Sequence, residues 1–234
     1  MNSAGGVSEA RGSVGRRTPG RPPLPVDLIV GTALKILDEE GAEALSLRAL
    51  AQRLKSSTAT LYRHFTGRAD LMARVVDRII GEMELDRAET ATTSWRQACR
   101  AAACNMFEVL SRHRNVAPLL GDHIPTGPNA AASREHFLAL LLANGFPPDL
   151  AARAYALLTR YVLGFAMQLR PDPAATSREE AQFAAAAHGL DPARFPATAA
   201  VADSLPVPLE EEFALGLDLL LAGLAQLRDR APDA

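Results

Sequence analysis

A chain of 234 residues can bury one large helical core or two small ones. Its Ala- and Leu-rich composition, with aromatics at 5%, favours helices over strands, so almost no sheet is expected. The longest apolar run, FLALLLA at 137–143, is far short of a membrane span, and the opening MNSAGGVSEARGSVGRR lacks the apolar core of a signal peptide, which makes the cytoplasm the expected location. The formal net charge of −2 hides an asymmetry: residues 1–74 hold 11 Lys and Arg against 7 Asp and Glu, net +4, and residues 75–234 hold 14 against 20, net −6. That imbalance suggests an anionic partner for the first third.

Residues 1–24, rich in Gly, Ser, Arg and Pro, cannot form a core and read as a disordered basic arm. Arg16, Arg17 and Arg21 suit a DNA minor groove, and a solubilising tail fits them equally. Val26, Ile29, Val30, Ala33, Leu34 and Leu37 then recur at helical spacing until Gly41 supplies a stop. Ser46 caps a second short helix, LRALAQRL, which turns Leu47, Leu50 and Leu54 inward. After the break at KSS, a third helix is expected from about Ser57 to His64, with Leu61 and Phe65 facing the first two. A fourth starts near Arg68 and runs to about Leu85, so the first domain shares a helix with the rest of the chain.

Pro- and Gly-rich breaks divide the remainder into helices at about 93–112, 128–144, 148–170, 178–188 and 208–229. The last carries Phe213, Leu217, Leu220, Leu224 and Leu227 in a narrow stripe, and 148–170 carries Leu150, Ala154, Leu157, Tyr161 and Phe165. Two such helices could form a four-helix dimer interface, and intrachain core fits the same periodicity. Cys99 and Cys104 point in different directions on one helix and read as buried small hydrophobes.

Two short helices joined by a tight turn and flanked by a third are the plan that lays one helix in a DNA major groove. Ser57, Thr58 and Thr60 offer hydroxyls to base edges or phosphates, and the small Ala59 permits close approach. Tyr62, Arg63 and His64 reach toward phosphates, and Arg68 opens the fourth helix where an anionic oxygen is favoured. Arg48 has the fork geometry for guanine, and Ser46 at its cap joins the candidate DNA-binding set. A solvated turn and cap would produce the same polar run, and residue types alone do not separate the two readings.

The order of these residues, LSLRALAQRLKSSTATLYRHFTGRADLM, resembles the DNA-binding domain of the tetracycline-repressor (TetR) family, with its Leu-Tyr-x-His-Phe ending at Leu61 to Phe65. Arg68 stands where Lys is commonest. The segments SWRQACRAAACNMFEVLSRHRN, LLANGFPPDLAARAYALLTRYVLGFAMQL and FALGLDLLLAGLAQL are similar to the ligand-binding and dimerisation half of the tetracycline-repressor subgroup, so the resemblance covers roughly residues 25–229. It implies an all-α protein with a helix-turn-helix DNA-binding domain at 25–72 and a helical ligand-binding and dimerisation domain at 73–234. It also implies a homodimer on a near-palindromic double-stranded operator, released by a small-molecule inducer.

Inducer identity does not carry over. Tetracycline repressors hold a magnesium chelate with Asn, Phe, a metal-binding His and a Glu, and the corresponding places here hold Ala102, Met106, Leu120 and Gln168. No metal, no other cofactor and a more apolar inducer are therefore expected. Met106, Leu120, Phe137, Phe165, Met167 and Gln168 are the pocket candidates, with His123 added if the register shifts; plain core or a loop histidine are the competing readings. Trp95 is expected to brace the fourth and fifth helices and not to stack on a ligand.

An enzyme is not expected, because no HExxH, GxSxG or phosphate loop is visible and Glu135-His136 stands alone. A helix-turn-helix activator, or a regulator controlled by a protein or peptide partner, would share every DNA-binding residue with the repressor reading. A closed apolar pocket would favour a small molecule, and an exposed groove would favour a partner.

Overall fold

The computed structural model describes residues 24–83, 94–122, 124–170 and 172–230, and these are helices, turns and loops with no strand among them. All of the expected arm except Leu24 lies outside the described residues, as does the expected end of the fourth helix at Leu85. The first helix, α1 (Val26–Glu40), buries Ile29, Val30, Ala33, Leu34, Ile36 and Leu37 on one face. It stops at Gly41, whose φ of 83° only glycine adopts cheaply, with the Gly41 N–H donating to the Leu37 carbonyl at 2.9 Å.

The next two helices owe their starts to hydroxyl caps. The Ser46 hydroxyl accepts from the Ala49 N–H at 3.1 Å and opens α2 (Leu47–Arg53), and the Ser57 hydroxyl accepts from the Thr60 N–H at 3.2 Å and opens α3 (Thr58–Leu61). Between them the chain reverses in a Schellman turn: the Lys55 N–H donates to the Gln52 carbonyl, the Ser56 N–H donates to the Ala51 carbonyl, and Lys55 takes a left-handed φ of 49°. The helix expected to reach His64 is shorter, because Tyr62, Arg63 and His64 continue as turns whose N–H groups donate to the Thr58, Thr60 and Leu61 carbonyls. Leu61 and Phe65 are buried as expected, against the same core as Ile29, Leu37, Leu45 and Leu50.

Helix α4 (Arg68–Glu82) packs on α1 at one end and on α7 (Pro128–Ala143) farther along. Beyond it, a reciprocal Ser94–Gln97 capping box opens α5 (Trp95–Arg112). A short helix, α6 (Ala117–Asp122), and α8 (Pro148–Ala166) come after it. The chain then forms α9 (Pro173–His188), α10 (Pro196–Val201) and α11 (Leu209–Asp229). Helix α9 begins five residues before its expected start because Pro173 occupies its first position and Asp172 caps it, both of which favour a helix start. Helices α6 and α10 were not expected, since six residues are too few to leave a periodic pattern.

Helix α8 packs against α5, α7 and α11, and the joint is aromatic. Phe213 stacks on Phe107 at 4.5 Å between centroids and meets Tyr161 and Phe165 at 5.5 and 5.6 Å. The Tyr161 hydroxyl donates to the Phe213 carbonyl at 2.6 Å, and a Cβ on Gly216 would sit 2.3 Å from that hydroxyl, so Gly216 is what lets α8 and α11 close. Trp95 does brace, though against Phe146 edge-on at 4.8 Å and under the Arg228 guanidinium at 5.5 Å.

Phe213, Leu217 and Leu224 are buried within the chain, the core reading that their periodicity allowed, while Leu227 of the same stripe and the neighbouring Leu215 and Leu219 stand exposed. Leu150 and Ala154 are likewise buried, with Leu157 left exposed. Cys99 is buried, but Cys104 faces outward.

The Lys55 backbone gives a test of the turn. A side-chain-bearing residue in the left-handed region is strained by about 1 kcal/mol, so Lys55→Gly is expected to hold or slightly raise stability and Lys55→Val to lower it by about that amount or more. Urea denaturation of the two variants checks this, and equal midpoints would remove the Schellman reading.

Candidate nucleic-acid interface and ligand cavity

The face carrying α3 is built by burying Leu61 and Phe65 beneath it, which turns Ser57, Thr58, Ala59, Tyr62 and Arg63 outward. Thr60 and His64 are half-buried at its edge, and Arg48 on α2 is exposed beside it. Residues 44–69 contain five Lys and Arg and no Asp or Glu, so the surface is cationic without internal compensation. Of the flanking acids, Glu39 and Glu40 hold Arg53 and Asp70 accepts from the Thr66 N–H at 3.0 Å, while Glu43 is exposed. Arg48 and Arg63 have no ion-pair partner among the described residues.

Four expected contacts have prior engagements. Ser46 and Ser57 are caps, and the Ser57 and Thr60 hydroxyls lie 3.0 Å apart, which leaves each only part of its hydrogen-bonding capacity for an outside group. Arg68 does open α4 as expected, but its guanidinium is turned inward: Nε donates to the Leu45 carbonyl at 2.9 Å and Nη2 to the Ala42 carbonyl at 2.7 Å. It ties α4 to the segment between α1 and α2, and three of its five N–H donors are left for an anion.

The end of α5 grips the same unit. The Asn115 amide donates to the Leu37 carbonyl at 2.8 Å, and His113 lies between Asp38 of α1 and Glu82 of α4 at 3.0 and 3.3 Å. One imidazole thus bridges two acids from two helices.

Farther along α4, the Asp77 carboxylate is buried against the first turn of α7. It accepts from the Ala130 N–H at 3.0 Å and the Asn129 N–H at 3.4 Å, while the Asn129 side chain donates to the Asp77 carbonyl at 3.0 Å. An acid at a helix start satisfies free N–H groups and the positive end of the helix dipole. A Cβ on Gly127 would lie 2.2 Å from the Asp77 carboxyl carbon, so a glycine is required there.

Between α4, α5, α7 and α8 lies a cavity of about 210 Å³. Ile80 and Met83 close it from α4, Cys99, Ala102, Ala103 and Met106 from α5, and Leu120, Ile124 and Pro125 from the segment between α5 and α7. Ala130, Ser133, Arg134 and Phe137 come from α7, and Tyr155, Leu158, Thr159, Val162 and Leu163 from α8. Burial pushes the Cys99 thiol up to about 12, so it is a neutral wall group and not a thiolate. Among the described residues no three His, Cys, Asp or Glu side chains are grouped to hold a metal ion.

Of the pocket candidates, Met106, Leu120 and Phe137 line the cavity and Phe165, Met167 and Gln168 do not. Phe165 belongs to the aromatic joint with Tyr161 and Phe213, Met167 is 54% exposed beyond the end of α8, and Gln168 is exposed. His123 lies outside the described residues. The residues missed on α8, Tyr155, Leu158, Thr159 and Val162, repeat at helical spacing, a second stripe beside the one through Leu157 and Tyr161. Ser133 and Arg134 precede Phe137 by one turn, so a helical reading around Phe137 would have found them.

The sequence pattern described as bacterial regulatory proteins, tetR family, matches residues 29–75, and that described as tetracyclin repressor-like, C-terminal domain, matches residues 87–228. The chain is 30% identical over 215 residues to the HTH-type transcriptional repressor DrrR1 of Streptomyces coeruleorubidus, across 88% of this chain and 79% of that one. An HTH-type transcriptional regulator of Saccharopolyspora erythraea is 34% identical over 144 residues, a match that spans 62% of this chain and 60% of the regulator's length. The crystal structure of the Streptomyces coelicolor TetR family protein ActR in complex with (S)-DNPA superposes with a TM-score of 0.77 at 33% identity, across 88% of this chain and 99% of that one.

The α4–α7 joint predicts a stability cost in both directions of size. Asp77→Ala leaves two helix N–H groups without their acceptor and Gly127→Ala pushes the carboxylate away, so each is expected to lose about 1–3 kcal/mol in denaturant unfolding. Wild-type midpoints for both would remove the joint.

Proposed function

As this chain belongs to the tetR family of bacterial regulatory proteins, we propose that it acts in the cytoplasm as a homodimeric transcriptional repressor on a near-palindromic operator. A small, largely apolar inducer taken without metal or other cofactor releases it. In this reading residues 25–72 are the DNA-binding domain and residues 73–234 bind the inducer and dimerise. The observation that carries the proposal is that one helix serves both ends: α4 begins at the Arg68 clamp on the α1–α2 segment and ends with Ile80 and Met83 at the cavity. A molecule entering the cavity touches the helix that sets the attitude of α3.

Thr58, Ala59 and Arg48 are proposed to read bases, with Ser57 and Thr60 contributing what their caps leave free. Tyr62, Arg63, His64 and the Ser46 hydroxyl take phosphates, and Arg68 braces the unit from behind. Linkage requires the inducer to favour the DNA-incompetent form by the free energy it removes from DNA binding, commonly about 1–3 kcal/mol. Control by a protein or peptide, or an activator's role, would use the same surface; the apolar cavity supports the small molecule. ActR, similar over nearly all its length, has been solved with small molecules bound.

The dimer face proposed is the exposed apolar one: Leu215 and Leu219 on α11 with Leu157 on α8.

Fluorescence anisotropy on the gene's upstream DNA, beside scrambled DNA at the same salt, tests the reading. Arg63→Ala is expected to weaken both DNAs and to reduce the salt slope by about one, whereas Arg48→Ala should cost about 1–3 kcal/mol on the operator and little on scrambled DNA. Equal losses for Arg48→Ala on the two DNAs would reject its base-reading role. Leu219→Glu should give a monomer by sedimentation and abolish operator binding at concentrations where the wild type saturates; an unchanged dimer would move the interface elsewhere.

A further inference from the structure

The cavity is apolar except on one side. Arg134 lies half-buried at its wall, and among the described residues it has no hydrogen-bond or ion-pair partner. Among those residues no Asp or Glu lines the cavity, so its ionised lining group is a cation. Ser133 is adjacent in sequence, Thr159 lines the same space, and the Tyr155 hydroxyl has no partner among the described residues. A guanidinium is a planar fork of donors with no acceptor capacity, matched in spacing to the two oxygens of a carboxylate.

From this arrangement we infer that the molecule bound in the cavity is an apolar carboxylic acid in its ionised form, with its carboxylate on Arg134 and its apolar body against Met106, Leu120 and Phe137. The inference deepens the repressor reading and rests on it only for the consequence of binding. Cations are disfavoured by the Arg134 charge, and a neutral analogue of the same shape forgoes the paired contact. Hydroxyls at Ser133 and Tyr155 serve the remaining carboxylate lone pairs, while the Thr159 hydroxyl, which donates to the Tyr155 carbonyl at 2.8 Å, is left to accept from a donor on the ligand body. Arg134 thereby sets which ligands are accepted.

The chemistry has two sources, a ring-bearing acid or a fatty acid, and matched probes separate them: 2-naphthoate against 2-naphthamide, and dodecanoate against dodecanamide. Calorimetry on the full chain at neutral pH is expected to give one acid of the pairs a dissociation constant about tenfold or more below that of its amide. Arg134→Gln should erase that preference by weakening the acid alone, and Arg134→Lys should restore part of it. Far-UV circular dichroism confirms that both variants fold. An amide that binds as tightly as its acid, a preference that survives in Arg134→Gln, or no saturable binding of either acid would each overturn the inference. Operator release is read separately by anisotropy: release by an amide without acid preference leaves the repressor reading standing while this one falls, and Arg134-dependent acid binding without release does the reverse.

Discussion

The Asp77 carboxylate, buried against the first turn of α7, fastens α4 to the rest of the second half, and His113 and Asn115 fasten the end of α5 to α1. Helix α4 would otherwise be a connector with one face on the α1–α3 core. With its middle fastened to α7 it is also a wall of the cavity, and the residues that define the cavity's polar side lie farther along the same α7. Arg68 makes the corresponding attachment at the other end, to carbonyls and not to a charge, so it survives changes in ionic strength that would weaken an exposed ion pair.

Charge is sorted accordingly. Acids at the end of α1 are taken up by Arg53 and His113, which leaves the face around α3 with cations only. The cavity reverses the proportion: apolar walls, a thiol that burial keeps neutral, and the Arg134 guanidinium. The uncompensated charge on both surfaces is thus positive, spread along an open face in one and carried by a single guanidinium among apolar walls in the other.

Much of this was legible in the sequence where the determinants are local. Ser46, Ser57 and Gly41 act on N–H and carbonyl groups within four residues of themselves, so the short helices and their inward Leu61 and Phe65 could be read directly. Arg68 was read as an anion contact because its acceptors, Ala42 and Leu45, lie 26 and 23 residues away and leave no local trace. The cavity was half legible: resemblance placed Met106 and Leu120, but periodicity on α8 gives two apolar stripes without saying which faces the cavity and which faces α11. Phe165 fell on the wrong one for that reason. The same ambiguity left the stripe from Phe213 to Leu227 open between interface and core; Phe213, Leu217 and Leu224 fill the chain's own core and Leu227 is exposed.

The fastening at Asp77 also divides α4 unequally. Nine residues separate it from Arg68, and three to six separate it from Ile80 and Met83 at the cavity. At 1.5 Å per residue the arms are about 14 Å and about 5–9 Å. A rigid helix turning about that fulcrum carries its long end about one and a half to three times as far as its short end. The mechanical advantage favours displacement over force: a shift of a single bond length at Ile80 becomes a few ångströms beneath the α1–α2 segment, which is enough to take a helix out of register with a groove.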